Sequence, residues 1–507
     1  MMANTRHHLW AIALFSLPLF LLWGCAGTGP QRSGDPVRST ANFPIPSDIQ
    51  DNVDFWRNVF GVWSRRQVVF HDEEYLGVIY EITDLPGPVK GGYTPEQRDF
   101  VRAKESTLKL RLADMERKIA RGEPLASDES ALRDKLVAAG GPGVIAGADQ
   151  RVRTQRGVRE RFRRGLEISG RYDAAFRKIF RARGLPADLA YLPHVESSFQ
   201  VHARSSVGAA GVWQFTAATG RLYMTVTRAV DERLDPIVSA GAAARYLQSA
   251  YARLGSWPLA ITSYNHGVGG MEKAKDLHGS DFGRIVRDYD GPAFGFASRN
   301  FYAEFLAARE VASHPKKYFP QGIHYETPFS GDRLVLRYSM PAAHIAQHYG
   351  LSVYTLSDMN LAWEPPVTRG RANVPAGTTV WLPSGTMERV AGEPGPVSGR
   401  IALAESRSEP HRSSGQVRVA KAAERRSADR AARSPFRVAR AEPREDAKVR
   451  RAASAPKVVR LHVVQPHETL FHVASLYDLS VQELRRLNRI RPGDNTIHPG
   501  QRLRVRI

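Results

Sequence analysis

The chain has 507 residues, 42% of them apolar and 24% charged, enough for two to four domains and a sizeable core in one of them. Its formal net charge of +21 points to a polyanionic neighbour (nucleic acid, membrane surface or acidic polymer), and charge alone does not choose among these. The single cysteine, Cys25, excludes an intrachain disulfide and a zinc site built on several thiolates.

Residues 1–25 read as an export leader: Arg6 in a short polar start, then an apolar run from Leu9 to Trp23 that is too short to span a bilayer comfortably. Its end, Leu22-Trp23-Gly24-Cys25, resembles the bacterial lipoprotein box, although Trp23 stands where a small or aliphatic residue is usual. The resemblance implies that Cys25 is lipidated and anchors a periplasmic protein. Ala26 after the cysteine favours the outer over the inner membrane. An ordinary cleaved leader, or an uncleaved anchor with an incidental cysteine, is the alternative. Residues 26–49 are a flexible Gly/Pro/Ser tether. Residues 50–150 are expected to be helical, with Phe55, Trp56, Val59, Phe60 and Trp63 at helical spacing as core.

Residues 151–320 have the pattern of a compact α-domain. Asp235-Pro236 opens one of its helices, with the aspartate as N-cap, an apolar stripe of Ala240, Ala243, Leu247, Ala250 and Leu254, and a stop at Gly255. Residues 330–385 read as strand, two helices and strand. Residues 390–457, rich in Arg, Ala, Ser and Pro, hold too few large apolar side chains to bury a core and read as a basic disordered linker. Residues 459–507 form a last small module, with strands near Leu461 and Leu503 around two short helices.

The chemistry concentrates in three stretches. In Tyr191-Leu192-Pro193-His194-Val195-Glu196-Ser197-Ser198-Phe199, Leu192 and Glu196 share a helix face, so the glutamate ends an apolar stripe. Desolvation there raises a carboxyl pKa, as a general acid at neutral pH requires. In Ser205-Ser206-Val207-Gly208-Ala209-Ala210-Gly211-Val212-Trp213-Gln214-Phe215, small residues let backbone approach a ligand, Trp213 offers a ring for a sugar face, and Gln214 offers hydrogen bonds. Ser263-Tyr264-Asn265-His266-Gly267 adds polar groups and a turn.

Together these stretches resemble the lytic transglycosylases with a goose-lysozyme-like fold, nearest to the membrane-bound lytic murein transglycosylase D subgroup, over roughly residues 155–308. Shared features are Glu-Ser-x-Phe, then Ser-x-x-Gly-Ala-x-Gly-x-Trp-Gln-Phe, then Tyr-Asn-x-Gly. The resemblance implies a mainly α protein whose catalytic acid/base is Glu196, with Ser197, Ser205, Trp213, Gln214, Tyr264 and Asn265 binding substrate. It implies cleavage of peptidoglycan strands between N-acetylmuramic acid and N-acetylglucosamine, ending in a 1,6-anhydromuramic residue, with no metal and no cofactor. Arg299-Asn300-Phe301 departs from the family's Arg-Asn-Tyr, and His266 stands where alanine is usual. No second carboxylate matches a catalytic position, which argues for one glutamate in both proton roles.

Residues 459–507 resemble LysM, a βααβ glycan-binding module, through Val464, Glu468-Thr469-Leu470, Ala474, Leu484, Asn488 and Pro499-Gly500-Gln501. Thr469, Leu470 and Asn488 are its implied glycan contacts. Residues 330–385 resemble a diverged copy through Ile345-Ala346, Tyr349-Gly350, Asn360 and Pro375-Ala376-Gly377. His344 and His348 have the i, i+4 spacing of a zinc pair but lack the companions of one and read as surface histidines. The linker arginines lack interleaved aromatics and follow an export leader, so nucleic acid is not an expected partner. Two rivals remain: a hydrolytic muramidase of the same fold, and a non-catalytic wall-binding scaffold.

Overall fold

The computed structural model describes residues 40–89, 91–390, 459–464, 481–490, 498 and 500–506. Cys25, Thr469 and Leu470 lie outside the described residues, as do the leader and the basic linker. The described part is mainly helical.

The N-terminal segment departs from its helical expectation. After helix α1 (Gln50–Gly61) come two strands, β1 (Gln67–Asp72) and β2 (Ile79–Asp84), which join β3 (Val152–Arg156) in an antiparallel sheet of order β2-β1-β3. Val68, Val69 and Phe70 are wholly buried, so β1 is covered on both faces and carries no alternating signal. Helices α2 (Pro95–Arg121) and α3 (Ser127–Gly140) fill the interval between β2 and β3. Thr94 and Gln97 close a capping box at the start of α2. The α1 aromatics do enter the main core, and Trp56 donates to Asn300 of the last long helix at 3.1 Å.

The α-domain follows: α4 (Arg159–Ser169), α5 (Asp173–Arg181), a 3-10 turn (Ala187–Tyr191), α6 (Leu192–Glu196), α7 (Ala217–Gly220), α8 (Pro236–Leu254), α9 (Trp257–His266), α10 (Val268–His278), α11 (Phe282–Asp288), α12 (Phe296–Ser313) and α13 (Pro315–Tyr318). Asp235 caps α8 by accepting from Ile237 and Val238 N–H at 2.9 and 3.0 Å, and Gly255 ends it in the left-handed region. One apolar core joins α1 to these helices.

Residues 332–382 form a second, smaller core. Strands β4 (Asp332–Val335) and β5 (Thr379–Leu382) pair antiparallel around α14 (Ala342–His348), α15 (Val353–Met359) and α16 (Pro365–Thr368), and α17 (Thr386–Arg389) follows. The last segment pairs β6 (Val459–Val463) with β7 (Arg502–Arg506), with α18 (Val481–Asn488) between them in sequence.

The two modules repeat one hydrogen-bond pattern. Asn360 at the end of α15 accepts from Trp381 N–H at 2.7 Å and donates to Trp381 C=O at 2.8 Å. Asn488 does the same with Arg504, at 2.6 and 2.8 Å. Each asparagine also donates to the carbonyl four residues back, and Gly377 and Gly500, both at positive φ, donate alike to Leu336 and Val464. The Asn488 amide is therefore engaged in joining helix to strand. His344 and His348 share α14 with no third candidate ligand, and no group of metal-binding side chains occurs among the described residues.

Candidate active site

Glu196 is the last residue of the five-residue helix α6, which stops abruptly because Ser198 and Phe199 both adopt the left-handed region, at φ 53° and 58°. Such a conformation costs a non-glycine residue about 1–3 kcal/mol and persists only where its surroundings enforce it. Three contacts do so here. Ser197 donates its hydroxyl to Val212 C=O at 2.9 Å. His194 stacks on Phe162 of α4 at 4.9 Å and lies against Phe199 at 4.6 Å. Gly165 of α4 leaves the space that Ser198 needs, since a Cβ there would sit 2.9 Å from the Ser198 carbonyl oxygen. Burial pushes His194 down to about 3, so it is a neutral packing ring.

Glu196 itself is half-buried. Desolvation, and then the like charge of Glu304, hold its carboxyl well above the ordinary carboxylate range. Glu304 lies on α12, which packs against α6 and α9. It interrupts a stripe of Ala297, Phe301, Ala308 and Val311 at helical spacing. The structure thus brings a second carboxyl to Glu196, 108 positions away in sequence, which motif matching missed. The charged break in that apolar stripe was the available signal.

The other expected site residues divide. Tyr264 is near Glu196: burial, with the Glu196 charge next, pushes its phenol well up, and its hydroxyl donates to Trp213 C=O at 2.9 Å. Asn265 follows it, buried, with Oδ1 accepting from Ser298 at 2.8 Å and Nδ2 without a hydrogen-bond partner. Gln214, itself left-handed at φ 48°, donates to the Gly211 and Ala203 carbonyls at 2.7 and 3.2 Å. Ser205 closes its own loop, its hydroxyl accepting from Ala209 N–H at 3.0 Å.

Trp213 differs from its expected role. It is 0% exposed, packed on Phe176 and Phe180, with its indole N–H directed to Pro236 C=O at 3.3 Å. Both faces of the ring belong to the core, so it holds the loop and does not stack on sugar. The small residues before it also serve the fold. A Cβ on Gly211, at φ 78°, would lie 1.8 Å from the Arg233 carbonyl oxygen. Buried Arg233, paired with Asp231 at 2.7 and 2.8 Å, donates to the Gly208 and Phe215 carbonyls and fastens the loop to residues 231–235. His266 lies edge-on to Phe294 and Tyr289, and burial lowers its pKa, so it too packs as a ring. Phe301 and Tyr302 are buried, and Tyr302 donates to Pro44 C=O at 2.8 Å.

A family model described as "Transglycosylase SLT domain" matches residues 175–283, the stretch holding Glu196 and the loop from Ser205 to Phe215. The chain carries a transglycosylase SLT domain. A LysM domain model matches residues 462–506. Membrane-bound lytic murein transglycosylase D of Escherichia coli strain K12 is 30% identical over 190 residues, which is 36% of this chain and 40% of the relative. Membrane-bound lytic murein transglycosylase F 2 of Alkalilimnicola ehrlichii is 34% identical over 127 residues, 24% of this chain and 27% of its own. The chain thus spans well under half the length of these curated relatives. Among solved structures, the 70 kDa soluble lytic transglycosylase of Escherichia coli aligns over 45% of this chain and 47% of its own at 15% identity, with a TM-score of 0.26, an overlap too partial to define a shared fold. In the SLT domain, Glu196 and Tyr264 are coupled electrostatically, while Trp213 and Arg233 are its scaffold.

Proposed function

We propose that the chain is a peptidoglycan lytic transglycosylase. The observation that carries this reading is Glu196, a carboxyl whose pKa desolvation and the charge of Glu304 raise, at the end of α6 inside the SLT-matched segment. A proton held at neutral pH is what a leaving glycosidic oxygen needs. Glu196 donates it to the oxygen between N-acetylmuramic acid and N-acetylglucosamine, and the substrate's N-acetyl group stabilises the cationic centre. Glu196 then accepts the proton of the muramyl C6 hydroxyl as that oxygen closes a 1,6-anhydro ring. The nucleophile is tethered within the substrate, which lowers the barrier by proximity. The reading further includes lipidation at Cys25, a periplasmic outer-membrane anchor, and wall targeting by the C-terminal LysM domain.

A hydrolytic muramidase is the second reading, and Glu304 is the observation that favours it. Enzymes that activate water pair an acid with a second carboxylate. Mass spectrometry of purified peptidoglycan digested by the chain decides between them. Anhydromuramyl ends establish the transglycosylase. Reducing ends establish a hydrolase, with Glu304 as the candidate base. Retained wall binding without products leaves a scaffold.

A further inference from the structure

A cavity of about 960 Å³ lies beside the Glu196 turn and does not include Glu196 itself. One wall comes from α4 and the residues after it, with Arg161, Arg164 and Arg171. Another comes from Phe199 to Arg204, directly after the turn. The third belongs to the βααβ module of residues 332–382, with Asp358 and Trp381. That third wall is fixed in place. The Trp381 indole donates to buried Asp235 at 2.6 Å, Asp231 N–H donates to Ala362 C=O at 2.8 Å, and Arg204 pairs with Glu364 at 3.1 Å.

Most charges around the cavity are matched. Arg164 and Arg171 both face Glu326, Arg204 faces Glu364 and Asp231, and Asp235 is committed to the α8 cap and the indole. Two are not. Arg161 has no carboxylate partner among the described residues, and its one hydrogen bond runs from Nη2 to Ser197 C=O at 3.3 Å. Asp358 is exposed and has no cationic partner among the described residues. The cavity therefore presents one free guanidinium, whose planar fork suits a carboxylate, and one free carboxylate, which suits an ammonium group. Ile168, Val201, Met359 and Leu361 also line the cavity and suit short aliphatic side chains.

Arg161 contacts Ser197, the residue that follows Glu196, and the cavity wall from Phe199 to Arg204 continues from the same turn, so the cavity adjoins the place where a strand would be cut. We propose that the cavity receives the zwitterionic peptide arm of the muramyl residue next to the cut, with Arg161 anchoring a peptide carboxylate and Asp358 a peptide ammonium group. This rests on the peptidoglycan reading above and names the substrate feature that such a site would select. The volume lies within the range of pockets that enclose ligands of short-peptide size.

The test uses the purified full chain, with Arg161→Gln, Arg161→Lys and Asp358→Asn. Turnover is compared on intact peptidoglycan and on glycan strands stripped of peptide by an amidase, and binding of the released peptide is measured by calorimetry. The expected result is that Arg161→Gln lowers the ratio of kcat/KM on peptide-bearing over peptide-free strands by about tenfold or more, mainly through KM. Arg161→Lys restores part of the ratio, and Asp358→Asn lowers it to a lesser degree. Released peptide binds the wild-type chain and loses affinity in Arg161→Gln. An equal fall on both substrates, with peptide binding unchanged, overturns the proposal and leaves Arg161 as a brace for the Ser197 carbonyl. Peptide binding that Arg161→Gln weakens, in a chain that cuts neither substrate, overturns the enzymatic reading and keeps the cavity assignment. Absence of peptide binding to the wild-type chain overturns the cavity assignment whatever the turnover.

Discussion

One buried indole stands in the joint between the SLT-bearing helices and the βααβ module. Trp381 is 8% exposed, donates to Asp235 Oδ2 at 2.6 Å and meets Phe329 edge-on at 5.2 Å. Trp381→Phe keeps an aromatic ring and removes the donor. Asp235 retains its two α8 bonds through Oδ1, so the loss is one buried bond to a carboxyl, about 1.5–3 kcal/mol. The smaller ring adds a packing cost of about 1 kcal/mol. A total of about 3 kcal/mol lowers the Tm by roughly 6–12 °C for a unit of this size. Asp235→Asn makes the contact worse, because if its oxygen stays on the α8 cap its amide then faces the indole N–H, donor to donor. In the double variant that conflict disappears, so the two costs do not add, and the coupling is about 1–3 kcal/mol. Thermal melts of the four proteins measure it. Additive costs, or a Trp381→Phe penalty below about 0.5 kcal/mol, would refute the claim that this bond fastens the module.

Glu304→Gln removes the like charge facing Glu196, so the alkaline limb of the pH–activity profile moves to lower pH; an unmoved limb means that the two carboxyls do not interact. Glu196→Gln lowers turnover by about 10²–10⁴-fold or more. It also stabilises the fold. The native state keeps the Glu196 proton at pH values where the unfolded chain has lost it, so wild-type stability falls as pH rises past the ordinary value of 4.5, and the variant is spared that fall. Melting curves at pH 4 and pH 8 should show a gap that widens with pH, and a constant gap contradicts the raised pKa. Gly211→Ala forces a Cβ against the Arg233 carbonyl at positive φ and costs about 3 kcal/mol or more, with activity falling alongside; a melt within about 0.5 kcal/mol of wild type shows that the loop is free to move.

Much of this architecture was legible because its signals are local. Asp235-Pro236, an apolar stripe and Gly255 delimit α8 as its sequence implies. The motif around Glu196 needs only a four-residue helical spacing to put the carboxyl on an apolar face. The sheet of β1, β2 and β3 was not legible, because Val68-Val69-Phe70 is an apolar run without period and its partner strand, Val152-Arg153-Thr154-Gln155-Arg156, is mostly polar. The 67–72 and 152–156 strands meet only after α2 and α3 have been looped out between them. Trp213 was misassigned for a related reason. An aromatic beside Gln214 looks like a sugar platform, and only the packing of α5 shows that the indole faces inward. Asn488 carried the same ambiguity. Its side chain suits a glycan, and its use as a brace becomes visible through the matching bonds of Asn360.

Strain and desolvation converge on the same few residues. Five non-glycine residues have positive φ among the described residues, and three of them, Ser198, Phe199 and Gln214, lie in the two stretches that frame Glu196. A five-residue helix gives a carboxyl little rigidity of its own. Ser197 bonded to Val212 and the stack of His194 on Phe162 supply it from two other segments. A mobile acid would find water and ionise. An acid fixed against an apolar helix and opposite Glu304 keeps its proton. The left-handed turn is thus the structural cost of the raised pKa, since a helix that ran on past Glu196 would leave Ser197 and Ser198 differently placed and the carboxyl unbraced. On this argument, substitutions that relax the turn without touching Glu196, at Gly165 or His194, act on activity through the protonation of the acid.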